Sequence, residues 1–284
     1  MAKKLIPLAI AYDFDGTLTP GNMQEHSFIP NLGVSKKKFW SMVKEHSKKH
    51  DMDEILAYMD LMIHMGDSKS VRIDKKSFID HGRGLCLFDG VEDWFHRINR
   101  YGKSIGLKVQ HYIISSGLRE MIEGTKIAKK FSYIFASGFR YDQHGVAKWP
   151  ALAINYTTKT QYLFRINKGI PNSYDNEKVN KYIPDSDRPV PFSNIIYIGD
   201  GETDIPCMKM VKYQGGFSVA VYDPKKRKSL NKSSPKDKCM KLRDEGRADY
   251  VQPADYREGK KLDLLVRAIL DKVVAEAHLS KLVK

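Results

Sequence analysis

The chain has 284 residues, of which 42% are hydrophobic, and its 48 Lys and Arg outnumber its 34 Asp and Glu to give a net charge of +14. This length and composition are typical of a globular protein with a substantial core. Because no apolar stretch is long enough to span a bilayer and no signal-peptide cleavage site follows the amino terminus, we expect neither membrane insertion nor secretion. The three cysteines show no C-x-x-C spacing, so a reducing, cytoplasmic location is expected.

The first apolar run, residues 5–12, leads directly into the sequence Asp13-Phe14-Asp15-Gly16-Thr17. Its length and lack of charged residues predict a β-strand that is covered on both faces, as in a parallel sheet. In such sheets the reacting groups lie at the carboxyl ends of the strands, where Asp13 and Asp15 stand. Two carboxylates on one side of an extended segment could bind a divalent cation and divide the roles of nucleophile and proton donor.

Residues 20–89 have a different character, with helical periodicity over 35–50 and 53–65 and no convincing strand. Ser35 and Asp53 are predicted to cap the amino termini of these two helices. We therefore predict a helical subdomain that is inserted after the first strand, in which a Met and aromatic stripe forms the core.

The remaining elements alternate between strands and helices. Strands are predicted over 109–114, 195–198, 217–221 and 249–251, and helices over 90–101, 118–131 and 262–277. A hairpin is predicted over 137–154 and a polar surface excursion over 171–191. The alternation indicates an α/β fold in which helices cover both faces of a parallel sheet.

Polar residues also follow the second and third strands. Ser115, Ser116 and Gly117 end the second strand, where the Ser115 hydroxyl and the backbone amides of a following helix would cradle phosphate oxygens. Asp200 and Asp204 follow the third strand, so several carboxylates are expected at one edge of the sheet. Mg²⁺ would neutralise their repulsion, whereas their spacing fits neither a calcium loop nor a zinc site.

A fixed positive charge is also needed, both for phosphoryl oxygens and for the Asp13 carboxylate. Lys159 stands at an apparent helix start and is the predicted candidate. Lys168 lies at the other end of that helix, where a cation at a helix carboxyl terminus has an ordinary structural explanation.

The positive excess favours anionic partners without identifying them. The densest basic stretch runs from Lys225 to Lys238 and contains no aromatic residue, unlike a typical nucleic-acid-binding surface. We therefore predict that this stretch is a solvated loop and that nucleic acid is not the partner.

Taken together, D-x-D-G-T at 13–17, the hydroxyl of Ser115, Lys159 and G-D-x-x-x-D at 199–204 resemble the ordered motifs of the haloacid dehalogenase superfamily of hydrolases. The sequence is most similar to the phosphoserine phosphatase branch, in which the lysine opens a helix with a K-x-x-x-L-x-x-I pattern, matched here by residues 159–166.

This resemblance implies a Rossmann-like core domain formed by residues 1–20 and 90–284, with a helical cap domain of residues 21–89. It implies a phosphatase that hydrolyses a small phosphorylated metabolite through an aspartyl-phosphate intermediate, with Mg²⁺ as cofactor. The residues expected at this metal site are Asp13, Asp15, Asp200 and Asp204, of which Asp15 would contribute its backbone carbonyl and Asp204 would support the other ligands.

The resemblance also assigns roles to single residues. It implies that Asp13 is the nucleophile and that Asp15 donates a proton to the leaving group and then activates water. Ser115 and Lys159 would balance the charge of the transferring group. The expected substrate contacts are Ser116, Gly117, Glu25 and His26.

Two alternatives stay open at this point. A phosphomutase would use the same residues but would hold a phosphorylated intermediate away from water. A basic protein that binds RNA or another polyanion on a hydrolase fold would use the excess lysines instead, although every expected catalytic position is filled.

Overall fold

The fold is built on one β-sheet, seen in a computed structural model that describes residues 5–226 and 233–282. Its strands are β1 (Ile6–Tyr12), β2 (Leu107–Leu118), β3 (Tyr133–Tyr141), β4 (Ala147–Leu152), β5 (Ile195–Gly199), β6 (Phe217–Tyr222) and β7 (Tyr250–Pro253). They form a seven-stranded sheet in the order β4-β3-β2-β1-β5-β6-β7, in which only the β3–β4 pair is antiparallel. The predicted α/β fold with a parallel sheet is therefore confirmed, as is the predicted hairpin.

Eleven α-helices among the described residues accompany the sheet. They are α1 (Phe28–Asn31), α2 (Lys36–His50), α3 (Glu54–Ser68), α4 (Lys75–Arg83), α5 (Val91–Ser104), α6 (Arg119–Glu123), α7 (Thr158–Lys168), α8 (Asn176–Asn180), α9 (Ile205–Tyr213), α10 (Pro235–Asp244) and α11 (Lys261–Leu282). None of these helices combines the length and the apolarity that crossing a membrane requires.

Strand β1 lies in the middle of the sheet, and residues 8–12 are completely buried. On one face Leu8, Ile10 and Tyr12 join a core cluster that includes residues of α5 and α11. On the other face Ala9 and Ala11 join a cluster that includes residues of α7 and α9. Because neighbouring side chains of a strand alternate between faces, this burial on both sides explains why the run is apolar throughout.

The two helices predicted after the first strand are confirmed as α2 and α3, together with their caps. The Ser35 side chain accepts a hydrogen bond from the Lys38 N–H, and the Asp53 side chain accepts hydrogen bonds from two backbone N–H groups of α3. The sequence pattern missed α4, which packs on α6 of the remaining chain. The division of the chain at residues 20 and 90 stays a prediction.

The helix predicted over 118–131 is wrong in most of its length. Strand β2 continues to Leu118, α6 has only five residues, and a short 3-10 turn follows at Ala128–Lys130. Gly124 follows α6, at a point where a β-carbon would lie 2.0 Å from the Ile79 carbonyl oxygen. The chain after α6 therefore packs closely against α4. Hydrophobic periodicity within residues 118–131 does not show this contact.

The excursion over 171–191 is confirmed as a surface segment, with Tyr174 and Tyr182 exposed. The buried Arg165 guanidinium of α7 holds its start by donating hydrogen bonds to the Asn172 and Ser173 carbonyl oxygens. In the basic stretch, residues 227–232 lie outside the described residues. The stretch is not a loop throughout, because Pro235 begins α10 behind a capping box formed by Ser234 and Asp237. That cap satisfies backbone N–H groups at the helix start.

We predict that replacing Gly82 by Ala destabilises the contact between α4 and α6. A β-carbon at Gly82 would lie 1.9 Å from the Met121 carbonyl oxygen, so the two helices must separate. We expect the free energy of unfolding of Gly82→Ala to fall by about 1–3 kcal/mol, measured by chemical denaturation. Gly84→Ala is the matched control, because a β-carbon there would lie 3.9 Å from the His81 carbonyl oxygen, which is an ordinary contact distance. Equal stability of the two variants would contradict the prediction.

Candidate active site

Three carboxylates meet at the carboxyl ends of β1 and β5. Asp13, Asp200 and Asp204 each offer an oxygen atom, and these atoms all lie within 4.8 Å of one another. Strands β1 and β5 are parallel neighbours, and the Asp13 N–H donates to the Ile198 carbonyl oxygen at 2.9 Å, so the ladder extends to the first of these residues. The parallel pairing therefore brings together residues that are far apart in sequence.

Lys159 lies completely buried among these carboxylates. Its Nζ is 2.7 Å from Asp204 Oδ1 and 3.1 Å from Asp13 Oδ1. The residue belongs to the first turn of α7, whose buried side chains lie in the same core cluster as Ala9 and Ala11 of β1. The small side chains of these two alanines let the first turn of the helix come close to the end of the strand.

The Asp204 carboxylate is held by four donors. Its Oδ1 accepts from Lys159 and from the Tyr197 hydroxyl at 2.7 Å each, and its Oδ2 accepts from the backbone N–H groups of Asp200 and Gly201 at 3.1 and 3.3 Å. A carboxylate with both oxygens engaged in this way orients the turn that follows β5.

Two glycines allow the acidic turns to pack this closely. A β-carbon on Gly16 would lie 2.0 Å from Asp200 Oδ2, and one on Gly199 would lie 2.4 Å from Asp204 Oδ2. Gly16 also has a positive φ of 72°, which few other residues adopt. The glycines of the D-x-D-G-T and G-D-x-x-x-D motifs thus have a steric function in this site.

Asp15 lies outside the group of three carboxylates. Its Oδ1 accepts a hydrogen bond from the Met23 N–H at 2.9 Å, and its Oδ2 would be 3.1 Å from a β-carbon on Gly117. The side chain is therefore turned toward the end of β2. This placement gives the side chains of Asp13 and Asp15 different surroundings.

Burial and mutual repulsion raise the pKa values of the acidic groups Asp13, Asp15 and Asp200. Burial raises the pKa of Asp13 to about 6, with the Asp204 charge adding to this and the Lys159 charge opposing it. Burial, with the Asp13 charge, raises the pKa of Asp15 well above its ordinary value. Burial and the Asp204 charge do the same to the pKa of Asp200. Burial alone would lower the pKa of Lys159, but the charges of Asp13 and Asp204 outweigh it and raise that pKa.

These shifts bear on whether the site fits a divalent cation. They mean that the ionised carboxylates are disfavoured in their surroundings, and a bound cation would relieve that cost. Carboxylate oxygens are also the donors that Mg²⁺ prefers. The residues of the site therefore fit such an ion by donor type and by charge.

Ser115, Ser116 and Gly117 approach the same point from β2. They belong to the strand itself, whose register shifts between Ser115 and Leu118. Helix α6 begins at Arg119, within one residue of the predicted helix start, although the helix is much shorter than predicted. The buried Ser115 Oγ accepts a hydrogen bond from the Gly117 N–H at 3.0 Å. The Ser116 carbonyl oxygen accepts one from the Tyr58 hydroxyl of α3 at 2.7 Å. An irregular strand end, rather than a helix, presents these groups.

The two expected substrate contacts after the first motif are placed differently from each other. Glu25 lines the cleft, and its carboxylate accepts from Trp40 Nε1 at 2.8 Å and lies 3.3 Å from Lys36 Nζ. His26 is not among the residues that line the cleft, and its Nε2 is 2.9 Å from the Pro20 carbonyl oxygen. The geometry supports the expectation for Glu25 and does not support it for His26.

One cleft of about 1210 Å³ is lined by Asp13, Asp15, Glu25, Ser115, Ser116, Gly117 and Asp200, whereas Lys159 and Asp204 lie buried behind it. Helices α2 and α3 contribute Trp40, Glu54, Ile55 and Tyr58, and the chain after β6 contributes Lys226, Lys238, Lys241 and Arg247. Sequence reasoning assigned the aromatic stripe of these helices to the core and missed that Trp40 and Tyr58 reach the cleft. The polar N–H and O–H of these two side chains were the available signal, because such groups need partners when buried.

Known proteins are similar to this chain in sequence. A family model of haloacid dehalogenase-like hydrolases matches residues 10–209. An uncharacterized protein of Borreliella burgdorferi is 29% identical over 228 residues, which cover 72% of this chain and 78% of that protein.

Among solved structures, a haloacid dehalogenase family hydrolase of Salmonella enterica serovar Typhi is similar with a TM-score of 0.56 and 16% identity, over 93% of this chain and 72% of that chain. A phosphoserine phosphatase, solved as an analogue of its phospho-aspartyl intermediate, is similar with a TM-score of 0.53 and 15% identity, over 93% of this chain and 99% of that chain. The chain therefore shares its fold with these proteins.

The raised pKa of Asp13 predicts a pH dependence of stability in the presence of a chelator. A carboxyl whose folded pKa lies above its unfolded value stabilises the fold fully below the unfolded pKa, and this contribution is lost as the pH rises through the folded pKa, here about 6. We expect the free energy of unfolding of Asp13→Asn, relative to that of the wild type, to increase as the pH rises from about 4 to 7.

Denaturation series of both proteins in a chelator would measure this difference. Buried His111 has its pKa lowered to about 3 by burial, so its contribution changes with pH in the opposite direction. Both proteins contain His111, so its contribution cancels in the difference, which reports Asp13 together with the pKa shifts that its charge imposes on Asp15 and Asp200. A difference that stays constant over this pH range would contradict the prediction.

Proposed function

The chain belongs to the haloacid dehalogenase-like hydrolases, and on that basis we propose that it is a Mg²⁺-dependent phosphatase that hydrolyses a small phosphate monoester through an aspartyl-phosphate on Asp13. One observation carries this proposal. A buried carboxylate, Asp13, lines the cleft beside a buried ammonium group, with Asp15 two residues further on in a separate environment. This arrangement provides a nucleophile, a fixed positive charge and a proton donor within one site.

Mg²⁺ would be held by the carboxylates of Asp13 and Asp200 and by the Asp15 backbone carbonyl. When bound, it would neutralise these acids and attract an oxygen of the substrate phosphate. Asp204, which was expected at the metal site in a supporting role, has both oxygens engaged by protein donors. We therefore assign it the role of holding Lys159 and the turn at Asp200 in position.

The nucleophilic atom is Asp13 Oδ2. The other oxygen, Oδ1, accepts from the Phe14 N–H at 2.8 Å and from Lys159, whereas no donor of the described residues is hydrogen-bonded to Oδ2. Oδ2 attacks phosphorus, the new P–O bond forms, and the bond from phosphorus to the leaving oxygen breaks. Water then attacks the aspartyl-phosphate and releases inorganic phosphate and free Asp13.

Asp15 supplies the proton that the leaving alkoxide needs. Because burial and the Asp13 charge raise its pKa, the group carries a proton more readily than an ordinary aspartic acid does. The Met23 N–H occupies Oδ1 and leaves Oδ2 to hold this proton. After donating it, the Asp15 carboxylate accepts a proton from the attacking water.

Ser115 and Lys159 would stabilise the charge of the transferring phosphoryl group. The Ser115 oxygen accepts from the Gly117 N–H, so its hydroxyl proton is directed to another acceptor and is available for a phosphoryl oxygen. Gly117 also has a packing role, because a β-carbon there would lie 2.2 Å from the Met23 methyl carbon. Ser116 has a buried hydroxyl without a hydrogen-bond partner among the described groups, and it lines the cleft where a substrate could provide one.

The proposal is tested by incubating the purified protein with a panel of phosphate monoesters in Mg²⁺, and again after chelation. We expect release of inorganic phosphate with Mg²⁺ and without an added bisphosphate activator, and loss of this activity on chelation. Asp13→Asn should reduce kcat/KM by about a thousandfold or more, because it removes the nucleophile.

Asp89→Asn is the control for a lost carboxylate, because Asp89 pairs with the exposed Lys225 and does not line the cleft. Activity that requires a bisphosphate activator would identify a phosphomutase instead. A protein without turnover on any ester that binds RNA with a steep dependence on salt would indicate the polyanion-binding alternative.

A second variant tests the proton donor. Asp15→Asn should lower kcat/KM by about a hundredfold or more for alkyl phosphates, whose alkoxide leaving groups need a proton. With p-nitrophenyl phosphate, whose leaving group is a weak base, we expect a loss of about tenfold or less. The ratio of the two losses is the measurement, and equal losses for both kinds of ester would remove Asp15 from the acid role.

A further inference from the structure

The cleft extends beyond the reaction centre and has a second, basic wall. Lys226, Lys238, Lys241 and Arg247 line the same cavity as Asp13 and Asp200. They come from the chain after β6 and from α10, so they stand apart from the elements that carry the reacting groups. The cleft volume of about 1210 Å³ exceeds what a single phosphoryl group and a small alcohol occupy.

Two of these four cations share one carboxylate partner within the wall. Glu245 lies 3.6 Å from Lys241 Nζ and 3.0 Å from Arg247 Nε. Lys226 and Lys238, by contrast, form no ion pair within 4.0 Å with any carboxylate in the described part of the chain. Lys226 and Lys238 are thus the two cations of the wall that no carboxylate of the described residues holds in an ion pair.

The other acids of this wall are engaged with the backbone. Asp223 Oδ1 accepts from the Lys225 N–H at 2.8 Å, and Asp237 Oδ2 accepts from the Ser234 N–H at 3.1 Å as part of the cap of α10. Asp223 thus stabilises the turn after β6, and Asp237 stabilises the start of α10. Their charges still act on an anion in the cleft, so the wall sets its four cations against the three acids Asp223, Asp237 and Glu245 and keeps a net charge of +1.

The basic wall also acts on the reaction centre. The Lys226 charge lowers the pKa of Asp200, although burial and the neighbouring acids outweigh it. Both lysines are exposed, so they lie at the mouth of the cleft in contact with solvent. An anion bound there would be attracted through partly solvated charges, and its binding should weaken as salt is added.

We propose that the substrate is a small phosphate monoester with a second anionic group, which Lys226 and Lys238 bind while the ester phosphate reaches Asp13. This inference rests on the proposed phosphatase function and specifies its substrate class. The cluster of carboxylates at the reaction centre disfavours anions near it, except where a cation and Lys159 compensate. A second anion is therefore best placed at the basic wall, which orients the substrate along the cleft.

The test measures competitive inhibition of p-nitrophenyl phosphate hydrolysis by the Mg²⁺-loaded enzyme. The inhibitors are propyl phosphate, a series of alkanediol bisphosphates of increasing length, and a matching series in which a carboxylate replaces the second phosphate. We expect a bisphosphate or carboxylate of suitable length to have a Ki about tenfold lower than that of propyl phosphate at low ionic strength. A gain of about twofold for a bisphosphate follows from its two equivalent ends alone and does not support the proposal.

The double variant Lys226→Ala/Lys238→Ala should lose this preference, and so should the wild type at high salt. The matched control is Lys225→Ala/Lys236→Ala, which removes two neighbouring lysines that do not line the cleft and should keep the preference. Hydrolysis of p-nitrophenyl phosphate without any preference for a second anion would overturn this inference alone. Absence of that hydrolysis would overturn the proposed function, and this inference with it.

Discussion

The buried ammonium group of Lys159 is the interaction on which the site depends. It stands between Asp13 and Asp204, with no exposure to solvent. A buried carboxylate pair without such a partner would be strongly disfavoured, because neither water nor another charge would compensate it. The contact also joins three elements, since Asp13 follows β1, Asp204 follows β5 and Lys159 begins α7. The position of Lys159 therefore compensates the two carboxylates and at the same time connects β1, β5 and α7.

That arrangement requires close approach of the backbone at several points. Ala9 and Ala11 have small side chains on the face of β1 that shares a core cluster with α7, and these leave room for the first turn of the helix near the end of the strand. Gly16 and Gly199 then leave space for the carboxylates of the turn after β5. Any side chain at either glycine would occupy the position of a carboxylate oxygen. The glycines are therefore needed in the two motifs because the neighbouring acids occupy the space that a side chain would fill.

The helices that follow β1 are connected to the reaction centre by polar contacts. Tyr58 of α3 donates to the Ser116 carbonyl oxygen, and Trp40 of α2 donates to Glu25. These contacts give the cleft an aromatic and acidic wall on this side, opposite in character to the basic residues that follow β6. A substrate that fits the cleft must therefore satisfy two chemically different walls as well as the reacting groups between them.

The sequence by itself determined the parallel sheet, the acidic strand end at Asp13 and Asp15, the caps at Ser35 and Asp53, and the choice of Lys159 from among many lysines. These features depend on local patterns of apolar residues, on turn chemistry and on the order of motifs along the chain. The ordered motifs were also sufficient to indicate the family.

Only the tertiary structure decided how these groups are oriented and what surrounds them. It turned Asp15 away from the other acids, directed His26 to a backbone carbonyl, extended β2 through Ser115, and placed Lys226 and Lys238 on the cleft. Some of these outcomes depend on hydrogen bonds within one loop, such as Asp15 with the Met23 N–H and His26 with the Pro20 carbonyl oxygen. Others depend on packing between segments that are distant in the chain, such as α4 with α6. Hydrophobic periodicity reports which face of an element is buried, but it does not report which partner a polar group meets there.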